Sequence, residues 1–514
     1  MITTRSVTLS MEPGRRDADR IRLWSLREDV LVEGDPDRDR LVVVNKWGET
    51  RIDAPGELVR ESLRRMTLGP ISLLNVGPQE LPEGAAPTDV AGRRRRDWAR
   101  LREVLELLGD LIVHSLGVED GEGPLLSAVP LARNAVFQLS GVDLQRPVRL
   151  SRFAAMRAHE GELLLESPLA AYQVVLHRPL ASATVAALSA PTAVQNLAAQ
   201  LPASKDLLSD IVAYLAAAGV VQFGEWGPGS ARARFAEDEE PNLIAWSHHD
   251  LQFHARSRMG RHGGPTGAVY PHAGTLPSPP VVKPLPRGRR FPLYRPVLSD
   301  LAAADPPLTA VLESLRPCQD LADRQLTAEQ IGELLFRAAR IRSMSPASAG
   351  EVTYGISDRP YLSIHGLHEL ELYLSLDRCT GLPRGIFHYD PQGHALTLLN
   401  ESQVDLEELL DLASVATGTT RRPPVLITMT ARVARSSWMY RGIAYSLALT
   451  HVGALQQTLC LAATAMGLAV CVPAIDPGES ADAALGLEWP AEVGIGEFIV
   501  GYRRMAPGPH TNGL

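Results

Sequence analysis

The stretch Arg435–Cys471, RSSWMYRGIAYSLALTHVGALQQTLCLAATAMGLAVC, decides the fold, because no Asp, Glu, Lys or Arg occurs between Arg441 and Asp476. Ile443, Leu447, Ala454, Leu455, Leu459, Ala462 and Met466 keep the i, i+3, i+4 spacing of a helix, while Ala448, Val452 and Ala463 carry apolar surface to its other faces. A helix apolar on several sides is a central core helix. A run this long must also be weighed as a membrane span, but His451, Gln456, Gln457, Thr450 and Thr458 interrupt it, and unpaired polar groups are costly in lipid. Ser436, Ser437, Trp438, Met439 and Tyr440 read as the polar entry to the helix, either facing a pocket or serving as ordinary caps and packing.

Around this helix lies a chain of 514 residues with a formal charge of -8, long enough for two to four domains. A hydrophobic share of 45% and 21% charged residues are ordinary for a globular protein. The mild acidity argues against a nucleic-acid partner. Cys318, Cys379, Cys460 and Cys471 form no C-x-x-C pair and have no histidine at zinc spacing, so no metal is expected. The N-terminus lacks the apolar run of a signal peptide, which makes the cytoplasm the expected location, with no membrane partner.

In chain order, residues 21–76 read as two strands, a short helix and a turn, and GAAPTDVAGRRRRD reads as a basic loop before an amphipathic helix that ends near Gly117. ELLLESPLAAYQVVL then reads as a strand or hairpin, followed by helices, with Ser204 as a cap before KDLLSDIVAYL, and a valine strand. This order is that of a winged helix. Its would-be recognition segment offers only Lys205 beside Asp206, so peptide rather than DNA is the expected ligand.

Four segments are therefore expected: residues 1–120 and 121–235 as two winged-helix-like domains, 236–305 as a Pro/Gly-rich extended linker, and 306–514 as an α+β domain of alternating helices and strands. Histidines and arginines crowd WSHHDLQFHARSRMGRH, but His248, His249 and His254 lack a carboxylate or cysteine to complete a metal set.

Several segments carry a resemblance. RPYLSIHGLHELELYL, GIFHYDP, the central helix and GIGEFIVG, together with the earlier DLQFHARSRMGRHGGPTGAVYP, are similar in sequence and order to the SagB-type, ThcOx-like dehydrogenases of the flavin-dependent nitroreductase fold. The resemblance implies FMN, oxidation of thiazoline and oxazoline rings in ribosomally made peptides, and winged-helix-like domains that grip a leader peptide. It also implies a dimer in which two chains build each flavin site, either a homodimer or a heterodimer with an intact homologue, and a cyclodehydratase as a working partner.

Two roles are required of such a site, a base for the proton beside the ring carbonyl and a flavin for the hydride. The family's Lys-Tyr pair falls on Met439 and Tyr440, which leaves Tyr440 as the candidate base, with an ordinary pKa of about 10. The phosphate-binding pattern falls on Leu315-Arg316-Pro317-Cys318-Gln319 and keeps Arg316 alone, and the Pro-Ser-x-Gly segment falls on Leu362–His365, with Ser363 and Gly366 retained. Arg503 and Arg504 are candidates to replace the lost cations. These departures leave two readings: an azoline oxidase with an altered site, or a family member that binds peptide or an active partner without catalysing oxidation.

Overall fold

The computed structural model describes residues 20–35, 39–76, 87–227, 232–258, 262–474 and 478–504. The reading of the extreme N-terminus falls on residues 1–19 and lies outside the described residues. The chain divides into two compact units, Met1–Gly264 and Pro265–Leu514.

In the first unit, six antiparallel strands order as Arg20–Leu26, Ile112–Val118, Pro124–Pro130, Tyr172–Leu176, Glu162–Glu166 and Ala155–His159. This sheet crosses residue 120, where a domain boundary was expected. Helix Lys205–Ala217 lays Leu208, Ile211, Val212 and Leu215 into a core shared with Leu116, Leu126 and Val174 from three of the strands. Its start is capped as expected, with the Leu207 N–H donating to Ser204 Oγ at 3.2 Å. Helices Pro179–Ala187 and Val194–Gln200 precede it, and Val221–Phe223 follows to pair with Val148–Leu150.

The four arginines expected in a loop, Arg93–Arg96, instead lie exposed within helix Pro87–Leu107. Arginine is a good helix former, and the buried Leu101 and Val104 anchor the same helix one to two turns later.

The second unit is built on a seven-stranded antiparallel sheet. Its order is Arg290–Pro292, Ala395–Asn400, Gly385–Asp390, Leu370–Leu376, Val425–Arg432, Glu492–Gly501 and Ala469–Cys471. Strict alternation sorts the central strands between two layers. Leu370, Leu372, Leu374 and Leu376, with Val425, Ile427 and Met429, face the central helix Ala444–Ala465. Leu426 and Ile499 face helices Gln403–Thr417 and Gly478–Leu485 on the other side. The central helix buries Ala448, Val452, Leu455, Leu459 and Ala463, while Tyr445, Leu449, Gly453 and Gln457 remain exposed on the opposite stripe. Helix and sheet meet so closely at Gly496 that a Cβ there would lie 2.6 Å from Val452 Cγ1.

The segment expected as a linker is shared between the units. Residues 236–256 contribute short helices to the first, and residues 265–305 pack into the second. The Pro-rich run 276–283 stays extended because side chains of the second unit satisfy its carbonyls. Trp438 donates to Leu276 O at 2.9 Å, Arg435 to Pro279 O at 2.8 Å and Arg432 to Pro280 O at 2.7 Å. Arg435, 2% exposed, also donates to Leu367 O and Gly355 O, and burial with the nearby Arg432 and Arg359 charges lowers its pKa to about 10. Among the described residues, no helix is long and apolar enough to cross a membrane.

Candidate functional site

The helix entry is more broken than its sequence suggests. A short helix, Val433–Ser437, gives way to Tyr440–Arg441, which pairs with Gly267–Ala268, and Gly442 at φ +79° turns the chain into the central helix. Met439 is fully buried in an apolar cluster with Leu367, Trp438 and Tyr440, and its carbonyl accepts from the Tyr270 N–H at 3.0 Å. Tyr440 is itself buried, and its hydroxyl meets Nδ1 of the exposed His365. Burial, followed by the neighbouring Tyr270, Tyr354 and Glu369, pushes the Tyr440 phenol up to about 12.

His365 belongs to the loop that carries Ser363 and Gly366, so three of the sequence-derived site residues come together here. The loop backbone is unusual: His365, Gly366 and His368 have φ of 55°, 65° and 46°. At Gly366 a Cβ would approach Ser357 O to 3.1 Å. Two bonds hold the conformation. Ser363 Oγ accepts from the His368 N–H at 2.9 Å, and His451 Nε2 on the central helix accepts from the Ile364 N–H at 2.9 Å. The His368 ring is buried beside Arg359, which lowers it to about 4 and keeps it neutral.

Arg316 lies elsewhere. It flanks Cys318, whose N–H donates to Val470 O at 2.8 Å, and its own carbonyl accepts from Arg503 Nη2 at 3.1 Å. Arg503 follows the strand end where Val425 pairs with Val500 on one side and Leu376 on the other, whereas Tyr440 and Ser363 adjoin the end where Ala431 pairs with Leu370. Six residue steps separate the two ends, roughly 20 Å at strand rise. The two arginines therefore converge with each other, but not with Tyr440 in the same chain. Neither pairs with a carboxylate among the described residues, whereas Arg504 lies 3.5 Å from Asp320.

A second polar cluster escaped the sequence reading. On the sheet face away from the central helix, Lys283 donates to the Tyr373 hydroxyl at 2.6 Å and pairs with Glu492, which also accepts from Tyr373 at 3.0 Å and from Thr430. Burial and the Glu492 charge drive the Tyr373 phenol far upward. Its members come from four separate segments, so no local spacing marks them. The cluster anchors the end of the Pro-rich run at Lys283. Among the described residues, no group of three His, Cys, Asp or Glu side chains could hold a metal ion.

Residues 148–263 match the family model of cyanobactin oxidase ThcOx, and residues 316–502 match that of the nitroreductase family. A Methanocaldococcus jannaschii protein named as a nitroreductase is 23% identical over 165 residues, covering 31% of this chain and 75% of its own. A chain of the E. coli microcin synthetase McbBCD complex, solved with truncated pro-MccB17 bound, is 18% identical, with 52% of this chain and 95% of that one covered and a TM-score of 0.31. An FMN-dependent nitroreductase from Clostridium difficile R20291 is 13% identical, with 39% and 89% covered and a TM-score of 0.24.

Nitroreductase family members are FMN-dependent. The donor set in this chain fits such a group in part: Arg316 and Arg503, neither paired with a carboxylate among the described residues, carry the charge that a phosphate takes. The chain thus carries a segment that matches the cyanobactin oxidase ThcOx model, followed by a domain that matches the nitroreductase family.

Proposed function

We propose that this chain oxidises thiazoline or oxazoline rings in a ribosomally made precursor peptide to thiazoles or oxazoles, with FMN accepting the hydride. The observation that supports this reading is the hydrogen bond between the Tyr440 hydroxyl and His365, in the loop that carries Ser363 and Gly366; by resemblance, Tyr440 falls where the family's base does. Arg316 and Arg503 are its phosphate ligands, and two cations in place of a fuller set make FMN binding weak. Their distance from Tyr440 within one chain supports a dimer in which the cations of one subunit serve the Tyr440 loop of the other. The first unit takes the leader peptide by strand addition. A cyclodehydratase supplies the azoline, and the cytoplasm is the setting. The reading that the chain is only a binding partner is not favoured by any feature of the Tyr440 loop.

The test is anaerobic. Protein loaded with FMN is mixed with an azoline-bearing precursor, and flavin absorbance is followed. Bleaching by the azoline peptide, and none with the uncyclised precursor, is the expected result. Absence of bleaching with FMN and peptide both bound would overturn the reading.

A further inference from the structure

Tyr440 has a difficulty as a base. A phenol pushed up to about 12 is almost wholly protonated near neutrality, so it can take a proton only if its own leaves at the same moment. The family's neighbouring lysine is absent, since Met439, a fully buried side chain with no proton-accepting nitrogen, holds its place. We propose that His365 is the proton acceptor that allows Tyr440 to act as the base, a role that rests on the azoline-oxidising reading above.

The geometry supports this in three ways. The hydroxyl of Tyr440 meets His365 Nδ1, and the two rings lie parallel within 8° at 5.9 Å between centroids. A buried phenol needs an acceptor, and Nδ1 is the one it has among the described residues, so the phenol donates and the imidazole carries its own proton on Nε2. His365 is exposed, so a proton received at Nδ1 makes an imidazolium that can pass its Nε2 proton to water.

The loop conformation is the third support. A histidine at φ 55° is uncommon and strained. It is held there by two bonds from neighbouring backbone, Ile364 N–H to His451 and His368 N–H to Ser363. Of the two histidines with positive φ in this loop, His365 is the one whose ring meets Tyr440. Titratable groups facing the pair are Tyr270, Tyr354 and Glu369, with His451 behind Glu369.

The step balances. The C–H bond beside the ring carbonyl breaks and its proton goes to Tyr440 Oη, as the phenolic proton goes to His365 Nδ1. A bound flavin would supply the two-electron oxidant, taking hydride from the adjacent ring carbon as the ring double bond forms.

Two measurements test this, and the first needs no flavin. In protein labelled with ¹⁵N-histidine, His365 Nδ1 should show the shift of a hydrogen-bond acceptor, and Tyr440→Phe should abolish it. An identical shift in both proteins would overturn the proposal. The second is the pH profile of kcat/KM for azoline oxidation. Protonated His365 cannot accept, so the wild type should show an acid limb. His365→Asn, which tolerates the left-handed backbone, should lose that limb and about 10²-fold in kcat. His365→Gly should be restored in part by added imidazole. A His365→Asn protein with the wild-type rate and limb refutes the proton transfer and leaves the azoline reading intact. A wild type that shows the Tyr440-dependent shift but oxidises no azoline supports the pair and refutes that reading.

Discussion

His451 Nδ1 lies 2.7 Å from Glu369 Oε1, while its Nε2 accepts from the Ile364 N–H at 2.9 Å. Together these bonds fix the tautomer: Nδ1 carries the proton and donates to the carboxylate. One side chain of the central helix thereby ties the loop that holds His365 to a carboxylate that is 0% exposed. The other oxygen, Glu369 Oε2, has no partner among the described residues.

His451→Phe preserves ring volume but removes both bonds and leaves Glu369 buried without its donor. Leaving a buried charged acceptor without its donor costs about 1–3 kcal/mol or more. The expected result is a lower urea midpoint for the C-terminal unit, with faster amide exchange at Ile364 and His365. A midpoint equal to the wild type would show that the tie contributes little.

Glu497 offers a pH prediction. Burial raises its carboxyl from an ordinary 4.5 to about 8, with the Thr428 hydroxyl donating to it at 2.8 Å. The folded state keeps its proton where the unfolded chain has lost it. Its contribution is therefore fully present below about pH 4.5 and declines as pH rises through 8. At about 1.4 kcal/mol per unit, the decline is on the order of 5 kcal/mol. Glu497→Gln should flatten the pH dependence and stabilise the protein at pH 8, read as the unfolding midpoint from pH 5 to 9. An unchanged slope would mean that Glu497 is ionised in the folded state.

The central helix was legible in outline because its lack of charge required burial, but its orientation was not. Leu455 and Leu459 are buried as read, whereas Ala448, Val452 and Ala463, assigned to other faces, lie on the buried stripe with them. Periodicity fixes which residues share a face, and packing decides which face meets the sheet. Tyr440 was singled out through resemblance. His365 stood in the quoted loop, but its partner lies 75 positions away, and no local spacing encodes that meeting. Arg316 and Arg503 are 187 positions apart, and long-range pairing such as the antiparallel bridge between Leu321 and Arg503 brings them together.

The exposed stripe of the central helix carries a further prediction. Tyr445 and Leu449, 47% and 39% exposed, with Gly453 and Gln457, form an uncharged face suited to a second copy of the chain. Light scattering should show a dimer at micromolar concentration. Leu449→Arg should give a folded monomer with weaker FMN binding. A wild-type monomer, or a Leu449→Arg dimer, would count against the shared site.

The central claim is ring oxidation at Tyr440. It is tested most directly by mass spectrometry of an azoline-bearing precursor incubated with purified protein and added FMN. The account predicts loss of two hydrogens per ring with the wild type, and an unchanged mass with Tyr440→Phe that still binds flavin and peptide. An unchanged mass with flavin-loaded wild type, or full oxidation by Tyr440→Phe, would contradict it.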